Sequence, residues 1–428
     1  MDAPEKGWQA RFYTIWTGQT FSLVGSSLVR FAVIWWLTER TGSATVLALA
    51  NLAAFLPTVL LGPVLGTLID RWSRRWIMVV ADGGVALLTA LLALLYGLGT
   101  IEVWHVYLLL FLRSVGESLH SPAMDASTTM LVPREHLTRV AGINQARQSA
   151  SWMTGPVLGA LLIEVLPIQG VLAIDVLTAL PAILPLLFLD VPQPVSSRGT
   201  TAGELTGGGE SGWQSLWRET REGLHYVWSW RGLAVLFFSL SAIVFFQRPA
   251  ASMLPLLVTQ HFGGGATELG WLSGTWQASS VLGGLALSAW GGFRRRLTNM
   301  MVALVIYAGA NLARGLVPAE GFWYVVAASA VGGLSMPLFF ASLRAMLQTT
   351  VPPEMQGRVF AMQGSISMGA GPLGLVLLGP VADRIGVQPL FVGTAVSCLL
   401  VLGLWLLSPG VRAVEEGPPD RATAVESV

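Results

Sequence analysis

The chain of 428 residues is 53% hydrophobic and only 11% charged, with a net charge of +1. Soluble domains carry about 25% charged residues, so a soluble enzyme or binding module is excluded and a polytopic membrane protein is expected. The near-neutral charge gives no reason to expect a nucleic-acid partner, and the single cysteine, Cys398, lies in an apolar run, which excludes a disulfide framework or a cysteine metal site.

Met1 to Arg11 is polar and mixed in charge. The apolar run that follows is too long for a signal peptide and has no small-residue cleavage site, so it is expected to be a span. A span needs about 20 mostly apolar residues. On that measure the sequence predicts helices near 12–37, 44–69, 77–99, 103–124, 141–165 and 170–190. A second set follows near 232–259, 267–291, 297–317, 321–347, 360–381 and 388–407.

Between the sets, Pro192 to Gly212 is rich in Pro, Ser, Thr and Gly and reads as a flexible linker. From Trp213 the pattern becomes amphipathic, with Trp213, Leu216, Trp217, Leu224, Val227 and Trp228 at helical spacing. Tryptophan at that density suits a helix lying in the headgroup region, here a tether between two halves. The expected organisation is an all-α integral membrane fold of twelve helices in two six-helix bundles. Its parts are an N-terminus (1–11), a first bundle (12–190), a linker with an amphipathic helix (191–231), a second bundle (232–407) and a tail (408–428).

Arginine placement sets the expected orientation. Arg71, Arg74 and Arg75 fall in the second loop, and Arg134 and Arg139 in the fourth. Arg198, Arg218, Arg221 and Arg231 lie in the sixth, Arg294 to Arg296 in the eighth and Arg358 in the tenth. The odd loops are nearly bare, so both termini are expected to be cytoplasmic. An internal repeat supports two parallel halves: Val132-Pro133-Arg-Glu135-His-Leu-Thr-Arg139-Val140 recurs as Val351-Pro352-Pro-Glu354-Met-Gln-Gly-Arg358-Val359.

Four groups of residues carry the chemistry. Gly66-Thr-Leu-Ile-Asp70-Arg71-Trp-Ser-Arg74-Arg75 places one carboxylate and three guanidinium groups on a short turn between spans. There Asp70 can cap a helix of the opposite half, where the helix dipole favours an anion, and Arg74 can bridge to Asp125. The plain alternative is a positive-inside anchor. Ionisable groups at bilayer depth cost about 2.5–3.5 kcal/mol each, so they face a cavity or a partner. Helix 4 carries Arg113 and Glu117 four residues apart, on one face. Glu117 is read either as a proton site tuned by Arg113 or as half of a self-neutralising pair.

Arg30, Arg147 and Arg248 lie at or near the same depth. They suggest a cavity for anionic or zwitterionic amphiphiles, unless they pair with Glu117, Glu164 or Asp175; Asp175 itself is read as structural. Finally, Gly155-Pro156-Val-Leu-Gly159-Ala160 lets helix 5 bend and approach a neighbour, and Gly371-Pro372-Leu-Gly374 repeats the device in helix 11. Trp152 and Trp276 are expected inside spans, as packing or as cavity lining.

These motifs resemble the major facilitator superfamily along essentially the whole chain, from Phe12 to Leu407. The 66–75 stretch is similar to that superfamily's loop between helices 2 and 3, and the 155–160 stretch to its antiporter motif. The first helix, Trp16-Thr-Gly18-Gln19-Thr-Phe-Ser22-Leu-Val-Gly25-Ser26, and the 351–359 loop look closest to the drug–proton antiporters of the macrolide-efflux and siderophore-exporter group. Three positions depart from the pattern: Ser73, Arg75 and Ala160.

The resemblance implies a proton-coupled exporter of amphiphilic small molecules in a bacterial cytoplasmic membrane. It implies a monomer using the proton gradient, with no bound cofactor, no metal and no enzymatic activity. An importer or a lysolipid flippase on the same fold is the alternative, with a non-transporting sensor further off.

Overall fold

A computed structural model describes residues 7–189 and 212–417, with side chains given for all of these except 62–71, 212–220 and 366–368. The helices run in the order α1 (Trp8–Thr41), α2 (Ala44–Arg71), α3 (Arg74–Gly97), α4 (Val103–Leu131), α5 (Leu137–Val165) and α6 (Ile168–Phe188). After the linker come α7 (Gly212–Ser229), α8 (Arg231–Ser252), the single turn α9 (Leu254–Leu256) and α10 (Ala266–Trp290). Next follow α11 (Arg296–Leu316), α12 (Phe322–Thr350), α13 (Pro353–Ile385), α14 (Gln388–Leu407) and the short α15 (Pro409–Arg412).

The order matches the sequence reading, with α1–α6 as the first set and α8 and α10–α14 as the second. Among the described residues, nine helices are long and apolar enough on their own to cross a membrane. The three other long helices, α4, α5 and α10, are those where polar side chains interrupt the apolar run. Helix α4 carries Arg113, Glu117, His120 and Asp125, α5 carries Arg139, Arg147 and Glu164, and α10 is rich in Gly, Ser and Thr. A hydropathy window undervalues a helix whose polar face is turned inward.

Two boundaries differ from expectation. The run predicted as one helix over 232–259 is broken. Helix α8 stops at Ser252 and α9 carries Pro255, which has no N–H to donate. The chain then closes with a π turn over Leu257–His261. By contrast Pro122 does not end α4, which continues nine residues to Leu131, because neighbouring helices re-satisfy freed backbone groups inside a membrane protein.

The described residues fall into two compact units. The first comprises those of Met1–Pro194 with Ser252–Gly274; the second those of Val195–Ala251 with Thr275–Val428. In the first unit α1 packs on α5 and α6, α3 on α4 and α6, and α2 on α4. The α1–α6 crossing needs glycine: a Cβ at Gly18 would lie 2.0 Å from the Pro181 carbonyl oxygen.

In the second unit α11 packs on α12 and α14, and α7 packs on α13. Its core joins Phe237, Phe339, Met346 and Trp405. Trp405 Nε1 donates to Ser239 Oγ at 2.8 Å, so the indole is buried with its one donor satisfied. Helix α7 is more than a surface tether, since its Tyr226 and Val227, with Trp230 just after it, enter this core while Leu224 and Trp228 face outward.

The surface is inverted relative to a soluble protein. On α3, Leu87, Leu91 and Leu94 are exposed, and on α6 Leu177, Leu180 and Leu184 are exposed. Buried between those same helices are Thr89, Arg113 and Asp175. Apolar outside and ionisable inside is the arrangement lipid dictates.

Candidate functional site

The membrane-depth charges of the first unit form a ladder along one face of α4. Arg113, Glu117 and His120 follow at intervals of four and three residues, so all three point the same way. Each meets a different partner from a different helix.

At the first rung, Arg113 Nη1 donates to Asp175 Oδ2 at 2.7 Å and to Thr89 Oγ1 at 2.6 Å. Thr89 Oγ1 also lies 3.0 Å from the same carboxylate oxygen, and Ser26 Oγ donates to Asp175 Oδ1 at 3.2 Å. Arg113 and Asp175 are 4% and 2% exposed, so the pair is removed from solvent and bound from three sides. This supports the structural reading of Asp175. It also corrects the expected local pairing of Arg113 with Glu117: the guanidinium reaches α6 and α3 rather than one turn along its own helix.

At the second rung, Glu117 takes its cation from α1. Arg30 Nη2 donates to Oε1 at 3.1 Å and Oε2 at 3.0 Å. This pair is half-exposed. An exposed ion pair at this depth belongs on a water-filled path rather than against lipid. Arg30 is therefore already compensated, and it no longer supports the expectation of uncompensated arginines awaiting an anionic ligand.

The third rung went unrecognised in the sequence. Asp82 of α3 accepts from Gln19 Nε2 of α1 at 2.8 Å, and His120 Nε2 lies 3.5 Å from the same Oδ2. Asp82 and His120 are each inside an apolar span, the same signal that points to Glu117.

Below the ladder, near the N-terminal end of α1, Trp16 Nε1 donates to Asn144 Oδ1 at 2.9 Å, and the Arg147 guanidinium lies 5.9 Å from the Trp16 ring centroid. Arg147 is thus placed by an aromatic face on α1.

The motif between α2 and α3 is described in part. The side chains of Gly66, Asp70 and Arg71 lie outside the described residues. Arg74 Nη1 donates to the Ala126 carbonyl at 2.8 Å and approaches Met130 Sδ at 3.1 Å, beside the exposed Asp125. Arg75 Nη2 donates to the Leu187 carbonyl. Together the two arginines tie the start of α3 to the ends of α4 and α6. Cations at helix C-termini also answer the helix dipole.

The glycines of α5 are required by packing on α1. A Cβ at Gly155 would lie 2.5 Å from Ser27 Oγ, and one at Gly159 2.8 Å from the Phe31 ring. Pro156 sits between them within an unbroken helix. Ala160 adds a Cβ where the antiporter motif has glycine, and Gly270 of α10 faces it: a Cβ there would come within 2.8 Å of Ala160 Cβ.

The second unit repeats this device with different chemistry. Gly371 and Gly374 of α13 receive α8, with Arg248 Cγ 3.0 Å and the Phe245 carbonyl oxygen 2.0 Å from the built Cβ positions. Where Gly155 meets a serine in the first unit, Gly371 meets Arg248, which is itself exposed. A further arginine, Arg314 of α11, is 8% exposed. It donates to Ser329 Oγ at 3.0 Å and lies 5.0 Å from the Trp276 ring centroid. Trp276 packs edge-on to Tyr307, so it is a packing residue here. Trp152 of α5 is exposed.

A family model described as a transmembrane secretion effector matches residues 7–421. Macrolide efflux protein A of Streptococcus pyogenes is 35% identical over 398 residues, covering 92% of this chain and 95% of that protein. The chain belongs to this transporter family of the major facilitator superfamily. The multidrug efflux pump Tap of Mycolicibacterium fortuitum is 25% identical over 404 residues, 91% of this chain and 94% of that pump. Among solved structures, the nucleoside transporter NupG aligns with a TM-score of 0.69 at 14% identity over 94% of this chain and 98% of that one, a likeness of fold. This member of the family is a multi-pass membrane protein, and its relatives are transporters.

Proposed function

We propose that this chain is a proton-driven exporter of amphiphilic drugs, macrolides first, working by alternating access in a bacterial cytoplasmic membrane. The observation that carries the reading is the 35% identity to macrolide efflux protein A along nearly the full length of both chains. The ladder on α4 supports it, because a transporter using the proton gradient needs ionisable groups at membrane depth.

The finer parts rest on the sequence. Arginine enrichment of the even loops favours cytoplasmic termini. Asp70, Arg71, Arg74 and Arg75, with Asp125, act as the latch that closes the cytoplasmic side. Gly155, Pro156 and Gly159 keep α5 close to α1 as that side opens. Arg30 and Glu117 line the path, with Arg147 and Arg248 as further groups that meet polar parts of the drug. Arg30 holds both carboxylate oxygens of Glu117, so Glu117 is assigned to substrate passage rather than to proton exchange.

Efflux from cells loaded with erythromycin, a fluorescent dye cation or a siderophore-like anion tests the proposal. Export of erythromycin that stops on adding an uncoupler is expected. Accumulation driven by the chain would reverse the direction, and export indifferent to the uncoupler would remove the proton gradient as its source of energy.

A further inference from the structure

We propose that Asp82 and His120, held by Gln19, form the pair that takes up and releases the proton; this deepens the exporter reading and rests on it. Among the described residues, Asp82, Glu117 and Asp175 stand inside spans of the first unit, and two of them are answered by guanidinium groups: Asp175 by Arg113 and Glu117 by Arg30. An arginine does not release its proton in a protein, and in this structure each of those two carboxylates is charge-compensated by one. The Asp82 rung alone combines a carboxylate with an imidazole, the side chain whose charge changes near neutral pH.

Its geometry suits exchange. His120 Nε2 is buried and makes no hydrogen bond, yet stands 3.5 Å from Asp82 Oδ2. Gln19 Nε2 fixes that same oxygen at 2.8 Å from the α1 side. Both side chains keep a small exposure, 19% for His120 and 12% for Asp82, so the pair is not wholly sealed although Nε2 itself is buried.

The cycle needs one proton and no covalent change. A proton from water adds to the imidazole nitrogen facing Asp82, giving imidazolium beside carboxylate, with no net charge on the pair. Loss of that proton to water on the other side restores neutral imidazole and a net charge of −1. The charged contact draws α4 toward α3, and its loss frees them, so protonation and helix position are linked.

The surroundings contain no competing partner among the described residues. On α4, Glu117 and Arg113 lie one and two turns away and are paired elsewhere, and exposed Asp125 lies more than a turn beyond. On α3, Arg74 and Arg75 are about two turns below and bind carbonyls of α4 and α6. On α1 the ionisable groups nearest Gln19 are Tyr13 and Arg11, about two turns before it, and Arg30, three turns on. On α2, residues 44–61 contain no ionisable group, and Thr58 meets Ser114 and Ser118 instead. The only ionisable residue of α6 is Asp175, and α5 brings Arg147, which stands at Trp16.

Two readouts decide the matter. In the purified full chain with labelled histidines, the His120 resonance, assigned with His120→Gln, should move as the pH is changed. In Asp82→Asn that response should change, because the neighbouring negative charge is gone. In proteoliposomes carrying a pH gradient, His120→Gln and Asp82→Asn should lose uphill erythromycin transport at least tenfold while keeping exchange of erythromycin at equal concentrations. A His120 resonance that does not titrate, or that ignores Asp82→Asn, overturns the proposal, as does undiminished uphill transport by both variants. If the natural chain moves no erythromycin, the exporter reading fails while the titration still decides the pair.

Discussion

The two units share a helix order and a glycine-mediated crossing, yet they treat charge in opposite ways. In the first, three acids among the described residues each have a cation or a titratable base against them: Asp175 with Arg113, Glu117 with Arg30, Asp82 with His120. In the second, α8, α11, α12 and α14 contain no Asp or Glu, and the acids of α13, Glu354 and Asp383, stand near its two ends. Its buried cation, Arg314, rests on an indole face and one hydroxyl. The proton exchange proposed above is therefore sought in the first unit, and the second is proposed to shape the path.

The most severe way to probe that comparison is to remove a buried arginine from each unit. Arg113→Ala strands Asp175 with two hydroxyls and no cation, and should cost about 3–5 kcal/mol, seen as loss of folded protein on size-exclusion after mild heating. Arg314→Leu leaves only the Ser329 hydroxyl unanswered and should cost about 1 kcal/mol in the same assay. Equal losses would show that the two cations do equivalent work.

Next in size is the shared crossing. Gly159→Leu drives a side chain into Phe31 and should destabilise by about 1–3 kcal/mol while abolishing efflux; Gly142→Ala, on the same helix with open space around it, should leave both melting and efflux unchanged. A smaller effect on stability is expected from Glu117→Gln, because the pair with Arg30 is half-exposed. It should raise the KM for erythromycin several-fold and preserve uncoupler sensitivity, and loss of that sensitivity would move the proton site to Glu117. The least effect belongs to Glu222→Gln, which breaks the contact between Glu222 of α7 and Arg358 of α13 at 3.0 Å. Pairs this exposed contribute about 0–1 kcal/mol, so its melting temperature should stay within a few degrees of the natural chain.

The helices were legible in the sequence because runs of about 20 apolar residues have few other uses, and the break at Pro255 was not, since a Pro-containing run of that length looks continuous. The charges at membrane depth were visible too, but their partners were not. Spacing along α4 pairs Arg113 with Glu117; the fold instead sends Arg113 to α6 and Glu117 to α1, because how each helix is turned about its axis is set by tertiary packing. Asp82 and His120 carried the same signal as Glu117 and were missed because each looks solitary within its own span. Only the α3–α4 contact makes them a pair.

The most direct test of the division between the units is proton release by the purified chain when erythromycin is added in a weakly buffered solution containing a pH indicator. The account predicts release by the natural chain and by Arg248→Gln and Arg314→Gln, and none by Asp82→Asn. Release that persists in Asp82→Asn but disappears in Arg248→Gln or Arg314→Gln would contradict it.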